Sequence, residues 1–162
     1  MSHVNVEVVP AVEADVPVIL ELITALAAYE NLTHLVSATE TDLHTWLFGP
    51  KPIAEVMLAR SGDVPVGFAL FFHNFSTFLG KPGLYLEDLF VIPEWRGRGV
   101  GQQLLSRLAR IAVERKCGRM EWSVLDWNDP AIRFYTRLGA APMAEWRICR
   151  LTGDALARVA DL

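Results

Sequence analysis

Only two cysteines, Cys117 and Cys149, occur in this chain of 162 residues, and neither sits in a Cys-x-x-Cys or other metal-ligand spacing. That scarcity excludes a disulfide-stapled scaffold and a thiolate metal centre, and reads as reduced thiols in a cytoplasmic protein. Apolar residues make up 52% of the chain, yet no sustained apolar run reaches the roughly 20 residues that cross a bilayer. The first residues, Met1-Ser2-His3-Val4-Asn5-Val6, lack the basic and apolar regions of a secretion signal. A membrane is therefore not an expected partner. Basic charge is short as well: 15 Lys and Arg against 19 Asp and Glu leave a formal charge of −4. Phosphate backbones demand basic patches, and none surrounds Trp46, Trp122, Trp127 or Trp146, so nucleic acid is not expected either. His34, His44 and His73 are scattered without metal-ligand spacing, and no metal is expected.

What is present is an alternation of strand and helix patterns without linker or repeat, and one domain over residues 1–162 is the expectation. Residues 4–9 alternate as a first strand, closed by Pro10; Asp15 and Pro17 then offer a cap and a first-turn residue. Val18, Ile19, Leu22, Ile23, Leu26 and Ala27 recur at helical spacing up to Tyr29, and residues 39–48 predict a second short helix stopped by Gly49-Pro50. Residues 53–60 and 64–72 are β-rich and joined by Ser61-Gly62-Asp63, a hairpin signal. Residues 84–91 form the next strand, and residues 99–117 a helix with Val100, Leu104, Leu105, Leu108, Ile111 and Ala112 on one stripe, stopped at Gly118. A strand over 119–125, a short helix over 130–138, a final strand over 146–151 and a terminal helix over 154–159 complete the reading. The strand–helix–strand stretch over 84–125 implies a right-handed parallel crossover, whereas the hairpin implies antiparallel pairing. An α/β chain with a mixed, twisted central sheet flanked by helices follows.

The densest chemical signal is Arg96-Gly97-Arg98-Gly99-Val100-Gly101, a glycine-rich turn between a strand and a helix. Such a turn exposes backbone N–H groups that lack an intrahelical partner, and with the helix dipole and two arginines it suits a phosphate or pyrophosphate. Gln102-Gln103 stand where a Walker loop needs Lys-Ser or Lys-Thr. The G-x-G-x-G spacing and the roughly ninety residues before it depart from the dinucleotide fingerprint. A plain tight turn with exposed arginines would carry the same residues.

The neighbours decide. The turn follows Tyr85-Leu86-Glu87-Asp88-Leu89-Phe90-Val91-Ile92-Pro93, and further on come Val124-Leu125-Asp126-Trp127-Asn128-Asp129-Pro130-Ala131-Ile132-Arg133-Phe134-Tyr135 and Leu138-Gly139-Ala140. In this order and spacing the chain resembles the GCN5-related N-acetyltransferases (GNAT), and within them the diamine branch of spermidine/spermine and thialysine acetyltransferases. The resemblance runs from Leu26-Ala27-Ala28-Tyr29-Glu30 to the last helix. It implies the acyl-CoA N-acyltransferase fold and transfer of acetyl from acetyl-CoA to a primary amine in a ternary complex. A protein or peptide acceptor, or a non-catalytic CoA sensor, would keep the same fold.

By that resemblance Arg96, Gly97, Arg98, Gly99, Val100, Gly101 and Gln102 cradle the pyrophosphate, and the backbone of Leu89 and Val91 pairs with the pantetheine arm. The family's strand often carries a bulge that frees N–H groups, and that of Leu89 would polarise the thioester carbonyl. Asn128 would contact the cofactor arm, and Tyr135 would give a proton to the leaving sulfur. Glu87 matches the family's base; an ion pair or a solvated strand residue is the alternative, which an acidic pair inside an apolar strand just before the cofactor turn disfavours. Strand alternation places Glu87 and Asp88 on opposite faces, which leaves Asp88 a substrate or structural part. Tyr29, Glu30 and Phe78 complete the implied substrate contacts. Ser76 and Phe78 stand where the polyamine enzymes have an Asp and a Trp, which favours a small amine with one ammonium to recognise over spermine. A homodimer with its contact in the C-terminal half is implied by the resemblance alone.

Overall fold

The computed structural model describes residues 5–162, so Val4, the expected start of the first strand, lies outside the described residues. The chain forms two compact units, divided between Ser123 and Val124. The first holds a five-stranded sheet in the order β1-β2-β3-β4-β5: β1 (Glu7–Pro10), β2 (Glu55–Ser61), β3 (Val64–Ser76), β4 (Lys81–Val91) and β5 (Met120–Trp122). Neighbours are antiparallel except β4 and β5, which are parallel. That parallel pair needs a crossover, and α3 (Val100–Glu114) supplies it. The mixed sheet is therefore as the sequence pattern implies.

One face of the sheet carries α1 (Val16–Tyr29) and α2 (Glu40–Leu43). Val16, Ile19 and Leu22 of α1 pack there with Leu43, Leu47, Val56, Leu58, Phe68 and Phe90 as one buried cluster. The opposite face carries α3, whose buried stripe Val100, Leu104, Leu105, Leu108, Ile111 and Ala112 follows the helical period. Gly67 shows how close this packing is: a Cβ there would fall 2.7 Å from the Phe90 carbonyl oxygen and 3.4 Å from Leu104 Cδ1.

Local differences from the sequence reading have physical causes. Asp15 directs its carboxylate back to the Val12 N–H and to Arg60, and makes no side-chain cap to α1. The second helix is a single α turn, closed by a Thr39–Asp42 capping box, that widens into a π turn at His44–Phe48. β3 and β4 extend past residues 72 and 84 into a long hairpin whose connection, residues 77–80, ends on left-handed Gly80. α3 stops before Gly118 because Lys116 turns left-handed and the Cys117 N–H closes on the Ala112 carbonyl. The expected strand at 119–125 keeps only three residues.

The second unit holds α4 (Asp129–Arg137) and α5 (Gly153–Ala160). The strand expected over 146–151 is absent: that stretch is irregular, with Trp146 75% and Ile148 71% exposed. Its alternation meets the sequence criterion for a strand, but a strand also needs a ladder partner, and here it has none among the described residues.

Candidate active site

The register of β3 and β4 slips once. Leu70 pairs with Asp88 and Phe71 with Leu86, so Glu87 is an extra residue on β4. Directly paired residues share a face. Asp88 therefore stands with Leu70, Phe68 and Phe90 on the α1 face, while Leu86 stands with Phe71 on the α3 face. Glu87, next after Leu86, points to the α1 face too. The bulge thus corrects the alternation argument: Glu87 and Asp88 share one side of the sheet instead of opposing each other.

Their electrostatics agree with that placement. Burial pushes the Asp88 carboxyl up to about 6, and the charges of Glu87 and Glu30 push it in the same direction. Burial also raises Glu30, the residue after the end of α1. Asp88 is therefore within electrostatic reach of Glu87 beside it and of Glu30 from the end of α1, with Glu87 exposed and Asp88 half-buried. On the same face the rings of Phe72 and Tyr85 lie 5.1 Å apart, and the Tyr85 hydroxyl is 3.0 Å from that of Ser123. Tyr85 is two residues from Glu87, about 7 Å along the strand. Neither Phe72, Tyr85 nor Ser123 was expected at the site; the β3–β4 register brings the first two there, and the hydroxyl contact brings Ser123.

β5 pairs with β4 only from Leu84 to Leu86, so beyond the bulge that side of β4 has no strand ladder among the described residues. The Ile92 N–H bonds to the Val66 carbonyl on the β3 side. Since N–H directions alternate along a strand, those of Leu89 and Val91 point away from β3, to the side without a ladder. The Val91 carbonyl on that side accepts from Arg96 Nε at 2.9 Å.

The turn after β4 has the two left-handed glycines that its shape requires, Gly97 at φ 72° and Gly99 at φ 81°. At either one an added Cβ would meet nothing within 4 Å, so the space above the turn is open. The first intrahelical bond of α3 runs from the Gln103 N–H to the Gly99 carbonyl. The N–H groups of Val100, Gly101 and Gln102 thus have no acceptor within the helix. Open space, free amides and the exposed Arg98, stacked 5.1 Å from the Trp95 ring centroid, fit a pyrophosphate.

Phe78 does not join this cluster within one chain. It is fully exposed on the β3–β4 connection, and Glu87 lies six residues along β4 from Lys81, about 20 Å of strand. Ser76 is buried and accepts from the Leu79 N–H at 3.2 Å, which gives it a part in shaping that hairpin. In the second unit, Asn128 is buried and its Oδ1 accepts from the Ala131 N–H at 3.4 Å, at the start of α4. Tyr135 lies on α4 with its ring 5.2 Å from that of Phe134.

Comparison with known proteins gives the family of the chain. The sequence profile of the acetyltransferase (GNAT) family matches residues 21–140. The chain is 36% identical to the L-ornithine N5-acetyltransferase of Arabidopsis thaliana, over 94% of this chain and 86% of that protein. It is also 36% identical to the thialysine N-epsilon-acetyltransferase of Bos taurus, over 93% and 94%. Among solved structures, an integron cassette protein from the mobile metagenome of V. cholerae superposes with a TM-score of 0.81 at 28% identity, covering 97% of this chain and 98% of that one. The chain belongs to the acetyltransferase (GNAT) family of enzymes, which use acetyl-CoA as cosubstrate, in the branch of its thialysine and ornithine acetyltransferase relatives.

Proposed function

We propose that this protein is a cytoplasmic N-acetyltransferase that moves the acetyl group of acetyl-CoA to a primary amine of a small amino acid or diamine, and that residues 1–162 act as one catalytic domain. The observation that carries this reading is the acid pair Glu87–Asp88, set by a bulge on one face of β4 directly before the glycine turn.

An alkylammonium with a pKa near 10 is only about one part in a thousand neutral at pH 7, a deficit of roughly 4 kcal/mol before it can attack. The acid pair offsets this by binding the cation and taking its proton. Glu87, the exposed member, meets the amine directly or through a water, and Asp88 behind it has the raised proton affinity suited to hold a proton near neutral pH. Acetyl-CoA supplies the acyl group as a thioester. The amine nitrogen bonds to its carbonyl carbon, the C–S bond breaks, and the Leu89 N–H stabilises the developing oxyanion, worth roughly 3 kcal/mol in comparable sites. Tyr135 gives a proton to the departing sulfur and is reprotonated with the second proton that the acylated nitrogen sheds. Gly97 to Gln102 hold the pyrophosphate, Leu89 and Val91 the pantetheine, and Asn128 the cofactor arm.

The acceptor's carbon chain fits the apolar shelf of Phe72 and Tyr85, with Glu30 and Tyr29 at the mouth. No acid stands at Ser76, so a second distant ammonium has no partner there. The names of the ornithine and thialysine relatives point the same way.

The protein acts as a homodimer. Met143, Trp146, Ile148, Leu151 and Leu156 are each at least half exposed in the second unit, more apolar surface than a small unit leaves in water. Trp146→Glu is expected to shift the protein from dimer to monomer in sedimentation. An unchanged dimer would place the contact elsewhere.

A further inference from the structure

The guanidinium of Arg96 lies over the ring of Tyr29, 4.6 Å from its centroid, and 5.4 Å from that of Phe90. Its Nε donates to the Val91 carbonyl at 2.9 Å. Three elements meet on this one cation: the last residue of α1, the end of β4 and the turn that opens α3. The one hydrogen bond among these contacts uses Nε, not a terminal nitrogen. The rings hold the cation from the side, and Nε spends only its own proton on the Val91 carbonyl, so the Nη fork keeps donors for an anion. A long side chain beside an exposed glycine turn would otherwise sample many rotamers. The stack fixes the fork in advance.

Resemblance casts Tyr29 as a substrate contact and Arg96 as a cofactor ligand. We propose that Tyr29 is a positioning residue for the cofactor: its ring holds Arg96 in the orientation that meets the coenzyme A pyrophosphate, and so ties the end of α1, where Glu30 stands, to the cofactor turn. The proposal rests on the acetyl-CoA reading above. It makes Tyr29 serve the donor through Arg96, although its own helix ends at the acceptor site.

Calorimetric titration with coenzyme A and no amine tests this independently of the acceptor. Tyr29→Leu keeps apolar bulk but loses the ring face, and is expected to weaken binding about tenfold. Tyr29→Phe keeps the face and is expected to stay within about twofold of wild type. In an Arg96→Gln background Tyr29→Leu is expected to add no further loss, because the two side chains act as one unit. Equal losses in both backgrounds, no loss in either, or a Tyr29→Phe defect as large as that of Tyr29→Leu would overturn the inference. Melting temperatures read on the same samples show that folded variants are compared. Failure of the wild type to bind coenzyme A would overturn the acetyltransferase reading, and this inference with it.

Discussion

Asp88→Asn combined with Glu87→Gln is expected to lower kcat by roughly two to four orders of magnitude, the range ascribed to a positioned proton acceptor. The single Asp88→Asn change should also make the protein more stable at neutral pH. The sign follows from the direction of the shift. Asp88 titrates at about 6 in the fold against an ordinary 3.8, because burial and two neighbouring acids disfavour its charge. Between those values the folded chain binds more protons than the unfolded one, so stability falls as pH rises through that window. Above it the full deficit is present, about 3 kcal/mol at most for a shift of about two units. An asparagine carries no such charge. Its melting temperature should exceed wild type at pH 7.5 and lose that advantage near pH 4. Turnover moves the opposite way: wild-type kcat/KM should rise as pH passes about 6, when Asp88 gives up its proton. Deprotonation of the free amine adds a separate rise with a midpoint near 10. A variant that kept the lower limb, or that melted below wild type at neutral pH, would remove Asp88 from this role.

Gly99→Val is expected to weaken coenzyme A binding by about ten- to a hundredfold while leaving the secondary structure intact. At φ 81° a valine is strained by roughly 1–2 kcal/mol, and relieving that strain turns the first amides of α3 away from their common focus. No protein atom lies within 4 Å of the new Cβ, so crowding against the protein contributes nothing. What fills that space in the reading above is the pyrophosphate, which the β-branched side chain would meet. Calorimetry and circular dichroism on one sample check both halves. Unchanged affinity would mean that the phosphates lie elsewhere.

Much of the framework was legible in the residues. The strand–glycine turn–helix sequence around Arg96 to Gly101 fixed the crossover, and Ser61-Gly62-Asp63 marked the β2–β3 hairpin. Patterns of this kind are local, with period and punctuation lying within a few residues. What stayed hidden depends on pairing. The family resemblance allowed for a bulge in β4 but not for its position, because Leu86-Glu87-Asp88 reads as ordinary alternation until β3 is laid beside it. Hence the shared face of Glu87 and Asp88, and the shelf of Phe72 and Tyr85, emerge only from the register. The stretch 146–151 errs the other way, since its alternation promises a strand for which the described chain holds no ladder. Lys116 likewise ends α3 through a left-handed backbone that glycine usually supplies, so Gly118 drew the boundary too late.

The most direct test of the central claim is release of free CoA thiol from acetyl-CoA against thialysine, lysine, putrescine, spermidine and a lysine-bearing peptide. The account predicts turnover on thialysine or a similar small amine well above that on spermidine, since no acid at Ser76 awaits a second ammonium. Turnover confined to the peptide, or none on any amine while coenzyme A still binds, would contradict it.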